Sequence, residues 1–550
     1  MDNIQIVIGG SAGEGSKKAG LLVAKLFNSY GYKVFIHEDY QSVIRGGHNF
    51  SYISATKEEH NAIREKVDVV LALNEDTISR HIETLKGGGI LMYDSDVVVE
   101  KEKIEREDIQ KIGVSLNDII KEAEGIPLMK NTALVSFFAK TFGIDFDNLE
   151  GVLRKEIKKE VEKNIRVAYI AYHNNGEKIR EINKIEREPL PLLSGNEAVA
   201  LGAIDAGLEC YFAYPMTPST SILGLLATVD GVKTFQPENE IAVINAAIGS
   251  AYAGRRTMVG TSGGGYALMT EGISLAAQSE TPVVVAMSQR MSPATGVPTY
   301  QGQGDLLFVL NSGHGDMMRF VVAPGDAEEA YFWGGKTLNI AWKYQLPTII
   351  LLDKELSENR YEVEQKEKVK KEDVLLSTKK DNYLRYDGED ISPLLFPGEE
   401  GAVVKGTGYE HTKKGIATED AKEIKKMQEK RIKKYNKLQR EVEEMSGVKS
   451  YKKGDVAVIF WGSTKGVVIE ATKDIKVKLI QPIILQPFPT ESIKKEVAGI
   501  KKVICVETNS TGQLSSVLKG QGIVVDETIL KYDGRPFTVE EVREEIKKRL

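Results

Sequence analysis

ECYFAYPMTPSTSI, Glu209 to Ile222, lies at the centre of the chain's organisation. An apolar and aromatic run ends at Pro215. Pro215 and Pro218 then bracket Thr217, and the hydroxyls of Ser219, Thr220 and Ser221 lead into an apolar segment of helical character. Proline fixes its own φ and pushes its predecessor out of the helical region. Tyr214 and Thr217 are therefore expected to be extended, and Ser219 or Thr220 to cap the helix that follows. A strand, a rigid turn and a capped helix make the kind of crossing at which open α/β sheets place ligands. Taken alone, the same residues are equally a surface strand-to-helix turn.

The flanks repeat this plan. Upstream, Ser194 or Asn196 caps a helix whose small residues (Ala198, Ala200, Gly202, Ala203, Ala206, Gly207) suit close packing against a backbone, a subunit or a bulky cofactor. Downstream, PENEIAVINAAIGSAYAG places Glu240 in a first helical turn. There it is either a dipole-stabilised residue or a carboxylate pointing into an interface. TSGGG, Thr261 to Gly265, is an anion nest or a tight packing turn. Val283 to Met287 is a continuous apolar strand, of the sort buried on both faces. QRMSPATGVPTYQGQGDL follows it as a loop with no helical or strand period. Its Arg290 either grips a carboxylate at the ligand edge of the sheet or satisfies loop carbonyls.

Composition limits the function classes. A chain of 550 residues with 41% apolar content holds roughly three to four domains. A net charge of -6 argues against a duplex-binding protein, so no nucleic-acid partner is expected. Two cysteines, Cys210 and Cys505, cannot supply the four thiolates of an iron–sulfur cluster, and no disulfide scaffold is indicated. MDNIQIVIGG opens on an acidic residue and a strand, and no apolar run reaches about 18 residues. Neither export nor membrane association is expected, and the cytoplasm is the expected location.

Before the central stretch, Asn3 to Ile8, GGSAGEG, Ser16 to Tyr30 and Lys33 to His37 read as a βαβ opening. It lacks the GxGxxG spacing and the terminal GK[ST] of a nucleotide loop. The glycines either let the helix approach the sheet or form a phosphate or partner surface. His37, Glu38, Gln41, Arg45, Gly46, Gly47, His48 and Asn49 form a candidate contact surface but a poor metal site, and no metal site is assigned to the chain. Val67 to Leu73 and Gly89 to Tyr93 are parallel strands around a helix, Glu75 to Lys86. Asn131 to Phe142 and Asn148 to Asn164 are helices. The polar HNNGEKIREINKIERE run reads as a solvated linker. Far downstream, the Lys- and Glu-rich helix Glu419 to Met445 has only Ile424, Met427, Ile432, Tyr435 and Leu438 for a buried seam. From Asp455 a small parallel α/β unit presents the loops WGSTKG and ETNSTGQL, either of which suits a phosphate or a partner helix.

The chain is thus α/β, with several parallel-sheet domains. The expected boundaries are 1–165, a linker at 166–190, 191–362, a charged linker and helix at 363–450, and 451–550.

GGSAGEG, HEDYQSVIRGGHNFSYI, GNEAVALGAIDAG, YPMTPST, PENEIAVINAAIGSAYAG, TSGGGYALMTEG, ETPVVVAMSQRMSPATGVPTYQGQGDL, YLRY, GYEHTKKGIATED, WGSTKG and ETNSTGQL cover nearly the whole length. Together they resemble a fused gamma–alpha subunit of the 2-oxoacid:ferredoxin oxidoreductases. The resemblance implies a gamma-type domain, a thiamine-diphosphate-binding-type pyrimidine domain and a transketolase C-terminal-like domain. It also implies oxidative decarboxylation of a 2-oxoacid onto coenzyme A in anaerobic metabolism. A separate beta subunit is implied to hold most of the thiamine diphosphate and magnesium site and a [4Fe-4S] cluster. Ferredoxin is the implied acceptor and a dimer of heterodimers the implied assembly.

Carried over residue by residue, Glu240 matches the glutamate that contacts the aminopyrimidine N1′. Thr217 matches the threonine that meets the oxoacid, and Arg290 with Thr299 look like carboxylate partners. Tyr300 stands where many relatives carry arginine, and removing that cation bears on whether a second substrate carboxylate is held. 2-Oxoglutarate is favoured on the gamma–alpha fusion, with pyruvate or a branched-chain oxoacid as the alternative. An aryl-pyruvate or indolepyruvate enzyme would carry cluster cysteines in this chain. A non-catalytic binding or regulatory subunit would need no Glu240 beside a cofactor.

Overall fold

The computed structural model describes residues 3–43, 45–96, 104, 106–174, 176–364 and 368–550. Asn175 of the polar run and residues 365–367 at the head of the charged linker lie outside the described residues. The chain divides into two compact units, Met1–Leu192 with Asn359–Glu364 and Thr538–Arg543, and Leu193–Glu358 with Gln365–Phe537 and Glu544–Leu550.

In the first unit the βαβ opening is split. Strands Asn3–Ala12 and Lys33–Asp39 are joined by the helix Ser16–Ser29, but Gly46–Thr56 lies between them, antiparallel to both. Ile53 is the register partner of Ile6 on one side and of Ile36 on the other. The helix crosses this strand at Gly20, where a Cβ would lie 2.4 Å from the Ser51 side chain. Val67–Ala72, Leu85–Asp94 and Gln110–Val114 extend the sheet in parallel beyond Asn3–Ala12.

The GGSAGEG turn is occupied by its own side chain. The Ser11 N–H donates to Glu14 Oε2 at 2.6 Å, and Asn74 Nδ2 donates to the same oxygen at 3.2 Å. Gly15, at φ 79°, lies so close to Asn131 that a Cβ would meet its Nδ2 at 2.3 Å. Close packing accounts for Gly9, Gly10 and Gly15, whereas Gly13 stands in open space at φ 100°, a backbone conformation that favours glycine. The histidine-bearing cluster divides: Arg45, Gly46 and Gly47 are exposed, whereas His37, Glu38 and His48 are buried. His48 Nε2 lies 2.8 Å from His81 Nε2, and burial pulls His81 down to about 3.

The charged helix expected at Asn148 to Asn164 is two helices, Phe146–Glu156 and Val161–His173, broken at Glu160 with φ 49°. The boundary expected at 165 falls inside the second helix, and the segment expected as linker is packed down. Ile179, Ile182 and Ile185, spaced by three, donate backbone hydrogen bonds to Thr141, Phe142 and Tyr30, and Ile182 is buried. The charges between the isoleucines masked this stripe.

The second unit holds two sheets. Lys233–Phe235, Cys210–Phe212, Thr257–Thr261, Val283–Gln289, Pro347–Asp353 and Phe320–Val322 lie side by side in parallel. Ile484–Gln486 closes that sheet antiparallel to Phe320–Val322. Val448–Tyr451, Lys478–Pro482, Val456–Phe460, Lys502–Glu507 and Glu527–Leu530 form the other sheet, parallel except for its first strand. One apolar core joins them, with Val259, Val285 and Ile349 in the same cluster as Ile459, Trp461 and Cys505. The expected separation at 450/451 is therefore not a break in packing.

The helix Ala421–Glu444 buries Met427, Lys430, Arg431, Lys434, Leu438 and Val442, whereas Ile432 is exposed. The seam has helical spacing but is partly cationic, because it receives Glu280. Lys430 Nζ and Lys434 Nζ each lie 2.6 Å from one of its carboxylate oxygens. Burial alone raises the Glu280 carboxyl, yet the two ammonium groups hold it well below the usual carboxylate range. A hydrophobic reading of the seam missed a partner about 150 residues away in sequence, the separation of Glu280 from Lys430.

Candidate active site

The site is assembled at the carboxyl ends of the parallel strands, where strand-end loops meet in an open α/β sheet. After Cys210–Phe212, the Thr217–Pro218 peptide is cis, and the helix Thr220–Leu226 follows. Ser219 stands at the cap position, but its hydroxyl donates back to the Met216 carbonyl instead of capping the helix. Buried Asn196 holds the turn, donating from Nδ2 to the Pro218 carbonyl and to Ser221 Oγ, both at 2.8 Å. The upstream helix that carries Asn196 begins in a capping box, Ser194 with Glu197.

Arg290 follows the strand Val283–Gln289 and reaches back to this turn, with Nη1 donating to the Thr217 carbonyl at 2.7 Å. Two residues 73 apart in sequence are thus brought together. The contact is a loop-carbonyl bond, and it leaves other guanidinium donors for a carboxylate. Burial lowers Arg290, while the Asp305 carboxylate raises it.

Asp305 is a residue that sequence reading missed. It precedes the helix Leu306–Asn311, but its side chain caps nothing, and its Oδ2 is buried with no hydrogen-bond partner among the described residues. Burial, opposed by Arg290, pushes it up to about 6. The available signal was an acid placed between a glycine and an apolar helix, which reads first as an ordinary cap.

Glu240 opens the helix Glu240–Tyr252, which Asn239 caps by accepting from the Ala242 N–H at 2.9 Å. Glu240 is 4% exposed, and its Oε1 is buried without a partner among the described residues. TSGGG makes room for both acids. A Cβ on Gly265 would lie 2.7 Å from Glu240 Oε1, and one on Gly263 would lie 2.6 Å from Asp305 Oδ2. A turn facing two carboxylates suits packing and disfavours an anion.

Thr299 is buried with its Oγ1 unpartnered among the described residues. Tyr300 is half-buried, and its carbonyl accepts from the Met291 N–H at 2.9 Å, so the loop folds back beside Arg290. The guanidinium of Arg535 lies over the Tyr300 ring at 3.9 Å from its centre.

The two C-terminal loops, which the sequence suits to a phosphate or a partner helix, buttress this loop. Gln301 Nε2 donates to Ser463 Oγ at 3.1 Å and to Thr508 Oγ1 at 3.2 Å. Fully buried Gln303 donates to Asp353 Oδ2 at 2.8 Å and to the Trp461 carbonyl at 3.1 Å. Gln513 accepts from the Leu307 N–H and donates to the Gly304 carbonyl. In ETNSTGQL the Glu507 carboxylate is filled by the N–H groups of Leu514 and Ser515 and by Asn509 Nδ2. Among the described residues no group of three or more His, Cys, Asp or Glu side chains stands together as metal ligands.

Three family models match the chain. Residues 5–173 match pyruvate ferredoxin/flavodoxin oxidoreductase, residues 201–430 match the thiamine diphosphate-binding part of pyruvate flavodoxin/ferredoxin oxidoreductase, and residues 454–542 match pyruvate:ferredoxin oxidoreductase core domain II. The 2-oxoacid:ferredoxin oxidoreductase subunit alpha of Saccharolobus solfataricus is 30% identical over 99% of this chain and 97% of its own. The 2-oxoglutarate synthase subunit KorA of Methanocaldococcus jannaschii is 31% identical over 58% of this chain and 88% of its own. The solved 2-oxoglutarate:ferredoxin oxidoreductase of Magnetococcus marinus, with 2-oxoglutarate, coenzyme A and succinyl-CoA bound, superposes with a TM-score of 0.88 at 28% identity, covering 100% of this chain and 99% of that one.

Proposed function

This chain belongs to the 2-oxoacid:ferredoxin oxidoreductase family as an alpha subunit, and from that premise we propose that its site serves the oxidative decarboxylation of 2-oxoglutarate. The balanced reaction joins the acyl group to coenzyme A, releases carbon dioxide and a proton, and passes two electrons singly to two ferredoxins. The observation that carries the reading is the convergence of the Arg290–Thr217 contact with the buried carboxylate of Glu240, whose Oε1 has no partner among the described residues.

Thiamine diphosphate suits this arrangement, because a buried carboxylate oxygen that lacks a donor matches a protonated ring nitrogen. When bound, the cofactor supplies the carbanion chemistry that opens the carboxylate-bearing carbon to bond cleavage. Glu240 holds the proton at N1′. Arg290 and the Thr299 hydroxyl fix the oxoacid carboxylate, and Thr217 lines its approach.

The remaining machinery lies with a partner. Tyr214, Phe235, Ile241 and Leu268 are between 40% and 52% exposed, and Ile241 directly follows Glu240. In this reading a beta subunit covers that apolar face. It holds magnesium, most of the thiamine diphosphate site and a [4Fe-4S] cluster, since Cys210 and Cys505 of this chain are both buried in strands. A dimer of heterodimers is the proposed assembly.

The test is Glu240→Gln in the complex with its partner chain, assayed on 2-oxoacids with coenzyme A and a viologen acceptor. Turnover is expected to fall on the order of 100-fold or more, with assembly intact. Near-normal turnover in an intact complex returns Glu240 to the ordinary first-turn residues.

A further inference from the structure

We propose that Arg535 is the specificity-determining residue of the substrate site, holding the distal carboxylate of a dicarboxylic 2-oxoacid. The inference rests on the proposed function and names the part of the molecule that selects its substrate.

Arg535 lies in the segment between the strand Glu527–Leu530 and the C-terminal helix that begins at Val539. Its backbone is fixed locally, the N–H donating to Asp533 Oδ1 at 2.9 Å. The segment is also tied to the substrate loop, because the Gln301 N–H donates to the Gly534 carbonyl at 3.1 Å. Gly534 lies beside Tyr300 there: a Cβ on it would stand 3.4 Å from that of Tyr300, in ordinary van der Waals contact. The Arg535 side chain is exposed, and among the described residues no carboxylate forms an ion pair with it.

What it does contact is the face of the Tyr300 ring, 3.9 Å from the centre. A guanidinium stacked on an aromatic face spends its π surface and leaves its N–H donors free around its edge, in the fork that matches a carboxylate. The stack also limits the rotamers of a long side chain, so less freedom is lost when an anion binds.

Position supplies the rest. The Met291 N–H to Tyr300 carbonyl bond sets Tyr300 across a hairpin from the residue next to Arg290. Buried Thr299, with its unpartnered hydroxyl, lies between them in sequence. Two guanidinium groups thus attend the loop, Arg290 within it at the turn of Thr217 and Arg535, from the C-terminal segment, on Tyr300. A molecule with one carboxylate uses the first, and one with two carboxylates uses both.

The test compares wild type with Arg535→Ala, Tyr300→Ala and Tyr300→Phe, each in the complex with the partner chain. kcat/KM is measured for 2-oxoglutarate and for 2-oxobutyrate, together with KM for coenzyme A and equilibrium binding of glutarate. Arg535→Ala is expected to lower the 2-oxoglutarate to 2-oxobutyrate ratio about 10- to 100-fold, the range for a hydrogen bond to a charged group, and to weaken glutarate in parallel. Tyr300→Ala should shift the ratio the same way, and Tyr300→Phe, which keeps the ring, should not. Loss of 2-oxoglutarate preference without weaker glutarate binding overturns the assignment. So does an unchanged ratio, or a rise confined to the coenzyme A KM, which would mark Arg535 as a phosphate contact. Wild-type complex that turns over no 2-oxoacid overturns the proposed function beneath it, an outcome distinct from the others.

Discussion

Glu280 and Glu240 are both buried glutamates of the same unit, and they are treated in opposite ways. Glu280, fully buried, has an ammonium group 2.6 Å from each carboxylate oxygen. Glu240 has one oxygen with no donor among the described residues, and Asp305, also within the site, has another. An uncompensated buried polar group is a cost that folding alone does not explain. A charge matched within the chain marks a seam that must stay shut, and an unmatched one marks a place where something from outside supplies the partner.

Breaking the matched side should have the largest effect. Glu280→Gln leaves Lys430 and Lys434 without their counter-charge, and a loss of about 3–5 kcal/mol in unfolding free energy is expected from denaturant titration. Replacing Glu280, Lys430 and Lys434 together by methionine should recover most of that loss, because a buried ion cluster often contributes no more than apolar packing of similar volume. Failure of the triple variant to recover would show that the cluster has a task besides closing the seam.

On the other side, Arg290→Ala should raise KM for every 2-oxoacid alike, by about 2–4 kcal/mol in apparent binding. It should cost little in thermal stability beyond the lost bond to the Thr217 carbonyl. An effect on one substrate only would move Arg290 away from the carboxylate that all of them share.

The smallest effect is read through pH. The Asp305 carboxyl is raised to about 6 from an ordinary 3.8, so the folded state holds its proton more tightly than the unfolded chain. Its contribution to stability is complete below about pH 4 and is lost as pH rises through 6. Asp305→Asn should therefore match wild type near pH 4 and exceed it by about 2–3 kcal/mol at pH 8, as read from paired unfolding curves. Equal curves at both pH values would place Asp305 in contact with water.

The second unit was largely readable because its strands are short apolar runs that end in turn residues. Val283–Gln289 and Pro347–Asp353 have no solvent face to disguise them. Thr217, Glu240 and Arg290 were readable as residue types at strand ends, although the bond joining Arg290 to the Thr217 carbonyl depends on the folded turn. What stayed hidden needed a partner remote in sequence. Gly46–Thr56 shows alternation but not which two strands it separates, and Lys430 and Lys434 look solvated until Glu280 arrives. Gln301 and Gln303 look like loop polarity until Thr508 and Trp461 reach them.

The strand Ile484–Gln486 bears on the order in which the chain can be completed during synthesis. Phe320–Val322 has a neighbour on one side, Pro347–Asp353, as soon as that strand emerges from the ribosome. Its other edge stays bare until residues 484–486 have been made and have returned to it across more than a hundred intervening positions. Through that interval a nascent chain presents an open apolar edge, the kind of surface that recruits strands from other molecules. Fragments ending shortly before residue 484 should aggregate where the full chain does not, and chaperone occupancy on translating ribosomes should fall once the returning strand has cleared the exit tunnel.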